Sequence, residues 1–392
     1  MMTPSGLFLV EKVLVRVFLS FILNIAVNES VNSQKDVESS SFLRSYLKNV
    51  FNESKHPSDP KLINYPTLAF SPETSFEIGV SSLFVYSAKH DINNRLSEIK
   101  SFAFFTLENQ YGLWLDHAIY TDNNKWFFYG RSRYQSFPLY YYGIGSMSSQ
   151  DVKCVINGDY ILIKERFLRE TVPSLYFGFE LDFQRLSQIE YINSTANFTE
   201  PEVGRLGSNN LGLGLGLLYD NIYNAMNPRE GIYSELAFLS YSSLFGSDFD
   251  FISYITDNRI YLPVKKNTVF AAQLYGQFTT GDIPFNMLSL MGGESLMRGY
   301  YLGRYRDKHL VAGQMEYRIL PFNFSKRFGA SVFLSVGQVF GDNYDFDLKK
   351  FLPTGGAGLR FLIFPDKDIY TRLDVAFTEE GKGFYFYIGE AF

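Results

Sequence analysis

KHLVAGQMEYRIL, residues 308–320, alternates apolar and polar side chains with a period of two. One face carries Val311, Met315, Tyr317 and Ile319, and the other carries Gln314, Glu316 and Arg318. Successive side chains of a strand point to opposite faces, so this period predicts a strand with one apolar and one polar face. A strand of about ten such residues has the length and pattern expected of a membrane-spanning strand.

The same alternation recurs from Lys61 to the end of the sequence. Sixteen segments show it, at 62–70, 75–87, 98–107, 111–120, 125–134, 159–170, 173–186, 208–219, 230–242, 247–262, 266–280, 308–320, 327–340, 354–364, 369–377 and 383–392. The fold class is therefore all-β. A soluble sandwich would bury its apolar faces, so alternation alone does not separate a sandwich from a transmembrane barrel.

Composition excludes several other classes. Hydrophobic residues make up 46% and aromatic residues 18% of the chain, which is too much for a disordered protein. The net charge of −5 provides no basic surface for nucleic acid. A single cysteine, Cys154, excludes an intramolecular disulfide framework. No long apolar run follows residue 30, which excludes a polytopic helical membrane protein.

Residues 1–33 are predicted to form a signal peptide. Lys12 and Arg16 precede the apolar stretch VFLSFILNIAV (17–27), which is too short to span a bilayer. Val31 and Ser33 are small enough for cleavage before Gln34. Export and the aromatic content favour an antiparallel transmembrane β-barrel made of residues 61–392.

Residues 34–60 are predicted to form a periplasmic N-terminal segment. Its patterned part, SSSFLRSYLKNVFNES (39–54), repeats apolar residues at helical spacing and predicts a short amphipathic helix. We expect this helix to pack at the barrel mouth or the membrane surface.

The lengths of the connections support a count of sixteen strands. With a periplasmic N-terminus, the connections at 136–158, 187–207, 281–307 and 341–353 fall outside and are long. Those at 121–124, 169–173, 263–266 and 364–368 fall inside and are mostly short. Long outer loops and short periplasmic turns are typical of outer-membrane barrels.

The loop at 281–307, GDIPFNMLSLMGGESLMRGYYLGRYRD, is too apolar to extend into water. We therefore expect it to fold back into the barrel lumen. Arg298 would then be buried and would need a carboxylate partner, because an unpaired buried charge is costly. Gly292, Gly293 and Gly299 permit the tight turns that such a path requires.

This loop and the strand after it resemble those of the BamA/TamA family of outer-membrane insertases, also called bacterial surface antigens. Met297, Arg298, Gly299 and Tyr300 match the family's loop tetrad, with Met at its first position. YDNIYNAMNPREG (219–231), GAGLR (356–360) and a terminal aromatic strand ending at Phe392 also agree. The resemblance implies a sixteen-stranded barrel in the outer membrane of a Gram-negative bacterium, with 281–307 as its sixth extracellular loop.

Two departures from the family pattern affect the interpretation. Ser335, in FLSVG (333–337), stands where family members carry the aspartate that pairs with the loop arginine. Asp374 and Glu316, on polar faces of nearby strands, are the candidate replacements, with Asp374 slightly favoured. The 27 residues at 34–60 are too few for a POTRA domain, the family's module for binding clients and partners, so we expect a barrel without one.

The first and last strands are predicted to meet at a weak seam. Pro66 lies within the first strand, and proline cannot donate a hydrogen bond to a ladder. Its partner, 383–392, contains Gly389 and ends at Phe392, and we expect the contact near Leu68 and Ile388. A gate that opens and a barrel that tolerates one poor strand both fit this pattern.

No catalytic site, metal site or cofactor is expected. His56, His90, His117 and His309 show no metal-ligand spacing, and the sequence lacks a G-x-S-x-G motif. His117 follows Leu113 and Leu115 at period two, so it is expected to face lipid.

Three functions remain open from the sequence. The first is assistance to proteins or lipids entering or crossing the outer membrane through the seam. The second is a passive channel or secretion pore constricted by the loop. The third is a surface antigen or accessory barrel that needs a separate periplasmic subunit. The expected partners are outer-membrane lipid together with unfolded outer-membrane protein clients or such a subunit, and no nucleic acid.

Signal-peptide removal is directly testable. Protein purified from outer membranes should begin at Gln34, because Val31 and Ser33 satisfy the small-residue rule for cleavage. Mass spectrometry of the N-terminal peptide measures this. An N-terminal peptide that still contains 17–27 would contradict it.

Overall fold

A computed structural model describes residues 58–71, 75–107, 110–136, 138–192, 194–196 and 198–392. The predicted signal peptide at 1–33 and the predicted helix within 39–54 lie outside the described residues. Within the described part of the chain, no helix is long and apolar enough to cross a bilayer.

The described residues form strands joined by turns and single 3-10 turns. The strands are β1 (Lys61–Ser71), β2 (Ser75–Ser87), β3 (Leu96–Thr106), β4 (Tyr111–Tyr120), β5 (Trp126–Ser136), β6 (Leu139–Tyr141), β7 (Cys154–Val172), β8 (Leu175–Ile192), β9 (Ser208–Asp220), β10 (Gly231–Tyr241), β11 (Phe251–Lys265), β12 (Thr268–Gly281), β13 (Ser289–Met291), β14 (Tyr305–Asp307), β15 (His309–Ile319), β16 (Phe328–Phe340), β17 (Leu352–Phe364), β18 (Ile369–Thr378) and β19 (Gly381–Ile388).

Sixteen of these strands, all except β6, β13 and β14, form the barrel wall and confirm the predicted fold. Each pairs antiparallel with the next wall strand, from β1 to β19. Among the described residues, no ladder joins β1 to β19. Tyr65 on β1 and Tyr387 on β19 are nevertheless close enough to interact electrostatically.

The two faces of the wall differ as the alternation predicts. Large apolar side chains such as Leu115, Phe179 and Leu334 are exposed on the outer face, where lipid would cover them. Charged side chains such as Glu180 and Asp182 alternate with them along β8 and are buried on the lumen side.

The β7–β8 hairpin is longer than the sequence predicts. It runs from Cys154 to Ile192, beyond the predicted limits of 159 and 186. The register shifts between Asn157 and Asp159, opposite Gln188, which has a φ of +54°. This bulge interrupts the apolar–polar alternation. The alternation therefore did not predict the part of the hairpin beyond residues 159 and 186. Cys154 is therefore a buried strand residue, not a loop residue.

The prediction that the last strand continues to Phe392 is wrong, because β19 ends at Ile388. Gly389 has a φ of +93°, which turns the chain away from the ladder. The Glu390 N–H donates to the carbonyl of Met226 at 2.8 Å. Phe392 is buried, with 4% of its surface exposed, and its ring lies 6.3 Å from that of Tyr261.

The turn between β9 and β10, residues 221–230, makes contacts across the periplasmic end of the barrel. Asn224 Nδ2 donates to the carbonyl of Lys367 at 2.9 Å. Arg229 donates to both carboxylate oxygens of Asp368 at 2.7 Å and to the carbonyl of Leu320 at 2.7 Å. This turn therefore links the periplasmic turns that follow β15 and β17.

The orientation of the barrel can be tested with two matched cysteines in a Cys154→Ser background. Leu244, at 88% exposure, lies in the outer turn after β10, and Phe324, at 86%, lies in the periplasmic turn after β15. A membrane-impermeant maleimide should label Leu244→Cys in intact cells. Phe324→Cys should be labelled only after the outer membrane is permeabilised, and the reverse pattern would invert the topology.

Candidate functional site in the barrel lumen

The long loop between β12 and β15 folds inward, as its apolar content predicts. Its two arms pair as a short ribbon, β13 with β14, in which Met291 lies opposite Tyr305. The apolar side chains of the loop then pack against the wall in one buried cluster, which contains Met291, Met297, Tyr300, Tyr305, Leu310, Ala312 and Val339. Burial of this surface favours the folded loop.

Two glycines of the loop are required by close contacts. A Cβ on Gly292 would lie 2.2 Å from the carbonyl oxygen of Tyr301, and the φ of Gly292 is +117°. A Cβ on Gly299 would lie 2.6 Å from Thr378, and the φ of Gly299 is +109°. A side chain at either position would therefore displace the tip that carries Arg298. Gly293 also has a positive φ, of +110°, in the same turn.

Arg298 is fully buried and contacts both carboxylates named from the sequence. Its Nη1 lies 2.6 Å from Asp374 Oδ2, and its Nη2 lies 2.6 Å from Glu316 Oε2. The guanidinium stacks over the ring of Phe333 at 3.5 Å. The Thr354 hydroxyl donates to the Arg298 carbonyl, so both the backbone and the side chain are fixed.

The same carboxylates belong to a larger ion network, which also reaches the end of the chain. Arg360 donates to Asp374 at 2.6 Å, to Glu316 at 2.9 Å and to Glu390 at 2.9 Å. Arg318 contacts Glu316 at 3.3 Å, and Arg372 contacts Asp374 at 2.7 Å. Four guanidinium groups thus surround three carboxylates in a buried site, which we call the lumen ion network.

Ser335 has a supporting role where the resemblance implies an aspartate. Its hydroxyl lies 3.4 Å from Gln314 Oε1, and Gln314 Nε2 donates to the carbonyl of Ser295 in the loop tip at 2.8 Å. The carboxylates that hold Arg298 lie instead on β15 and β18. In this chain, strands other than β16 therefore supply the negative charge that meets Arg298.

Arg304 forms a second anchor, which sequence reasoning missed. It donates to Glu380 at 2.7 and 2.6 Å, and the Tyr305 hydroxyl donates to the same carboxylate at 2.6 Å. Glu380 lies in the turn between β18 and β19, so the loop also contacts the outer end of the last hairpin. Nearby, burial lowers the pKa of the Arg306 guanidinium, which stacks against Tyr141 and donates to backbone carbonyls.

The lumen side of β3 to β5 remains accessible to water. The side chains of Lys100, Arg131 and Asp116 are 40%, 51% and 35% exposed there. Among the residues that the structure describes, no group of three or more histidine, cysteine, aspartate or glutamate side chains could hold a metal ion.

The residues predicted at the seam lie on the first strand, on the last strand or just beyond it. Pro66 pairs with Val80 and Leu68 with Ile78, both in the β1–β2 ladder. Ile388 pairs with Thr371 in the β18–β19 ladder. Gly389 and Phe392 have left the wall, so they cannot pair with β1. No pattern in the sequence indicated Glu390, because its contacts depend on the turn at Gly389.

Residues 129–392 match the Omp85 superfamily domain. The chain belongs to the Omp85 superfamily. Its fold is similar to that of BamA from Haemophilus ducreyi in a form lacking POTRA domains 1–3, with a TM-score of 0.53, 12% identity and coverage of 84% of this chain and 69% of that chain. It is also similar to CdiB from Acinetobacter baumannii, with a TM-score of 0.53, 9% identity and coverage of 84% and 59%. No curated protein matches the sequence. This Omp85 barrel is accordingly a protein of the bacterial outer membrane.

The charge balance of the lumen ion network predicts an order of destabilisation. Asp374→Asn should cost about 3–5 kcal/mol, because it leaves four buried guanidinium groups with two carboxylates. Arg298→Met should cost less, about 3 kcal/mol, because Asp374 and Glu316 keep other partners. Urea unfolding of the folded barrel in lipid vesicles measures both.

Arg205→Met is the matched control, since Arg205 is exposed in an outer loop. It should change the free energy of unfolding by less than about 0.5 kcal/mol. Equal effects of Arg298→Met and Arg205→Met would mean that the network does not hold the loop.

Proposed function

We propose that this Omp85 barrel assists the insertion or translocation of proteins or lipids at the outer membrane by opening laterally between β1 and β19. The observation that supports this most is the lumen ion network. It contacts both the loop tip and residues 389–392 after β19, which we call the tail. Arg360 contacts Asp374 and Glu316, the partners of Arg298, and also Glu390, two residues beyond β19.

This shared network would couple the loop to the edge of the last strand. A displacement of Arg298 leaves the carboxylates of Asp374 and Glu316 to Arg360, Arg318 and Arg372. The same change alters the electrostatic attraction between Arg360 and Glu390. The position of the loop would therefore bias the position of the tail, and the tail in turn sets where β19 ends.

The two strands at the proposed opening are poor barrel strands. β19 has eight residues, and β1 contains Pro66, which lacks a backbone donor. A backbone hydrogen bond contributes about 0.5–1.5 kcal/mol net, so a contact with few such bonds would open at low cost. The exposed strand edges would offer unpaired backbone groups to an incoming strand, which is the physical basis of β-augmentation.

A polar conduit is the second candidate, and it rests on a different observation. Lys100, Arg131 and Asp116 are partly exposed on the lumen side of β3 to β5. A conduit on this side would pass small polar solutes without any opening of the wall. We propose no catalytic role for either function, and the clients of the lateral opening would be unfolded outer-membrane proteins or lipids.

Cysteine pairs across the opening distinguish the two candidates. In a Cys154→Ser background, pairs scanned around Leu68 and Ile388 should crosslink if the proposal is right, because Tyr65 on β1 and Tyr387 on β19 are close enough to interact electrostatically. Locking the barrel in this way should abolish its cellular phenotype, while ion conductance through the lumen in planar bilayers stays unchanged.

The matched control is a pair at Leu373 and Phe386, which lie opposite each other in the β18–β19 ladder. A crosslink there joins strands that are not proposed to part, so it should leave the phenotype intact. If a crosslink between β1 and β19 also leaves the phenotype intact, lateral opening is not required. The polar conduit is then the function that the result supports.

A further inference from the structure

His117 and Glu165 form a close acid–base pair on the lipid-facing surface of the barrel. His117 Nε2 lies 3.3 Å from Glu165 Oε2, and the two side chains are 18% and 22% exposed. His117 shares its face of β4 with Leu113 and Leu115, and Glu165 shares its face of β7 with Ile163 and Phe167, which are exposed apolar side chains. The orientation predicted for His117 from its period of two agrees with this arrangement.

Gly130 makes the pair possible. In the registers of β4, β5 and β7, His117 lies opposite Gly130, and Gly130 lies opposite Glu165. A Cβ on Gly130 would lie 2.2 Å from the His117 ring and 2.3 Å from the Glu165 carboxylate. The two side chains therefore meet over a strand that has no side chain at this point. We call these three residues the His117–Glu165 patch.

The patch lies near the middle of the membrane. Gly130 is four residues from Trp126 and four from Tyr134, both exposed on the same face of β5. Four residues at about 3.3 Å each, on a strand tilted by about 40°, correspond to about 10 Å of depth on either side. Aromatic side chains mark the two edges of the apolar band, so the pair lies between the edges.

No comparable charge occurs elsewhere on the described lipid-facing surface between the aromatic edges. Arg169 lies opposite Trp126, and Arg185 lies in the row of Tyr134, so both are at an edge. The centre of β9 carries Leu213, Leu215 and Leu217, and the centre of β16 carries Val332, Leu334 and Val336. Ionisable side chains inside a membrane are rare and costly, and they generally mark a functional contact.

We propose that the His117–Glu165 patch is an interface at which two copies of this chain associate within the membrane. A two-fold axis along the membrane normal through Gly130 brings His117 of one copy to Glu165 of the other, and the reverse. Because the patch has one acid and one base on either side of Gly130, it is complementary to the same patch on a second copy of the chain. A partner that presents only an acid or only a base would complement either His117 or Glu165, but not both.

The surroundings of the patch fit a close contact between barrels. Glycine allows backbones to approach closely within a membrane. Phe128 and Phe167, whose rings are 6.0 Å apart, flank the patch, and aromatic side chains are enriched at protein interfaces. Association would remove the partly exposed polar side chains of His117 and Glu165 from the hydrocarbon, where they cannot be solvated.

The test uses the mature chain in isolated outer membranes, with Cys154→Ser as the background. Ser132→Cys lies on the patch side, one lipid-facing position from Gly130, and Leu334→Cys lies at the centre of β16 on the opposite wall. A bifunctional maleimide should yield crosslinked dimer for Ser132→Cys at least about tenfold above Leu334→Cys, as expected for a preferred contact. Heat-modifiable migration on a gel verifies that each variant is folded.

A charge swap gives the second measurement. His117→Glu in the Ser132→Cys background places two acids in each patch and should return the dimer yield to the level of Leu334→Cys. His117→Glu combined with Glu165→His restores complementarity and should restore the dimer. Equal yields at Ser132→Cys and Leu334→Cys, a crosslink to a different protein or to lipid alone, or a dimer that survives His117→Glu would each overturn the proposal. The outcome is independent of whether the barrel opens between β1 and β19.

Discussion

The contact of Arg298 with Asp374 and Glu316 is the constraint on which the interior of this barrel depends. A loop of mostly apolar residues leaves the outer surface and enters the lumen, and its only arginine at the tip is fully buried there. Burial of that charge is tolerable because two carboxylates on the wall meet it at 2.6 Å. Once the arginine is fixed, the loop can follow only the path that its glycines allow.

The same contact determines how the chain ends. Arg360 and Arg318 contact the carboxylates that also hold Arg298, and both contact Glu390. Arg318 also lies over the ring of Phe392. The last residues therefore turn into the lumen at Gly389 and do not extend β19. β19 is therefore shorter than the alternation predicts, and the proposed lateral opening depends on the loop and the residues after β19 sharing one ion network.

The lipid-facing surface follows a separate constraint, because hydrocarbon offers no partner to a polar side chain. Most of the surface meets this constraint with leucine, valine and aromatic side chains. His117 and Glu165 meet it by contacting each other across Gly130. Among the described residues, the interior thus holds its ionisable side chains in a network of many groups, whereas the lipid-facing surface between the aromatic edges has one isolated acid–base pair.

The sequence alone determined the sixteen wall strands and the inward loop, because alternation and apolar content are local properties. It indicated the two candidate partners of Arg298 only together with the resemblance to the BamA/TamA family. It did not determine the extension of β7 and β8, where a bulge interrupts the period. It also did not determine the anchor from Arg304 to Glu380 or the inward tail at Glu390. These depend on residues that are far apart in sequence, and only the folded barrel brings them together. His117 was recognised as lipid-facing from its period, but its pairing with Glu165 required the register of three strands.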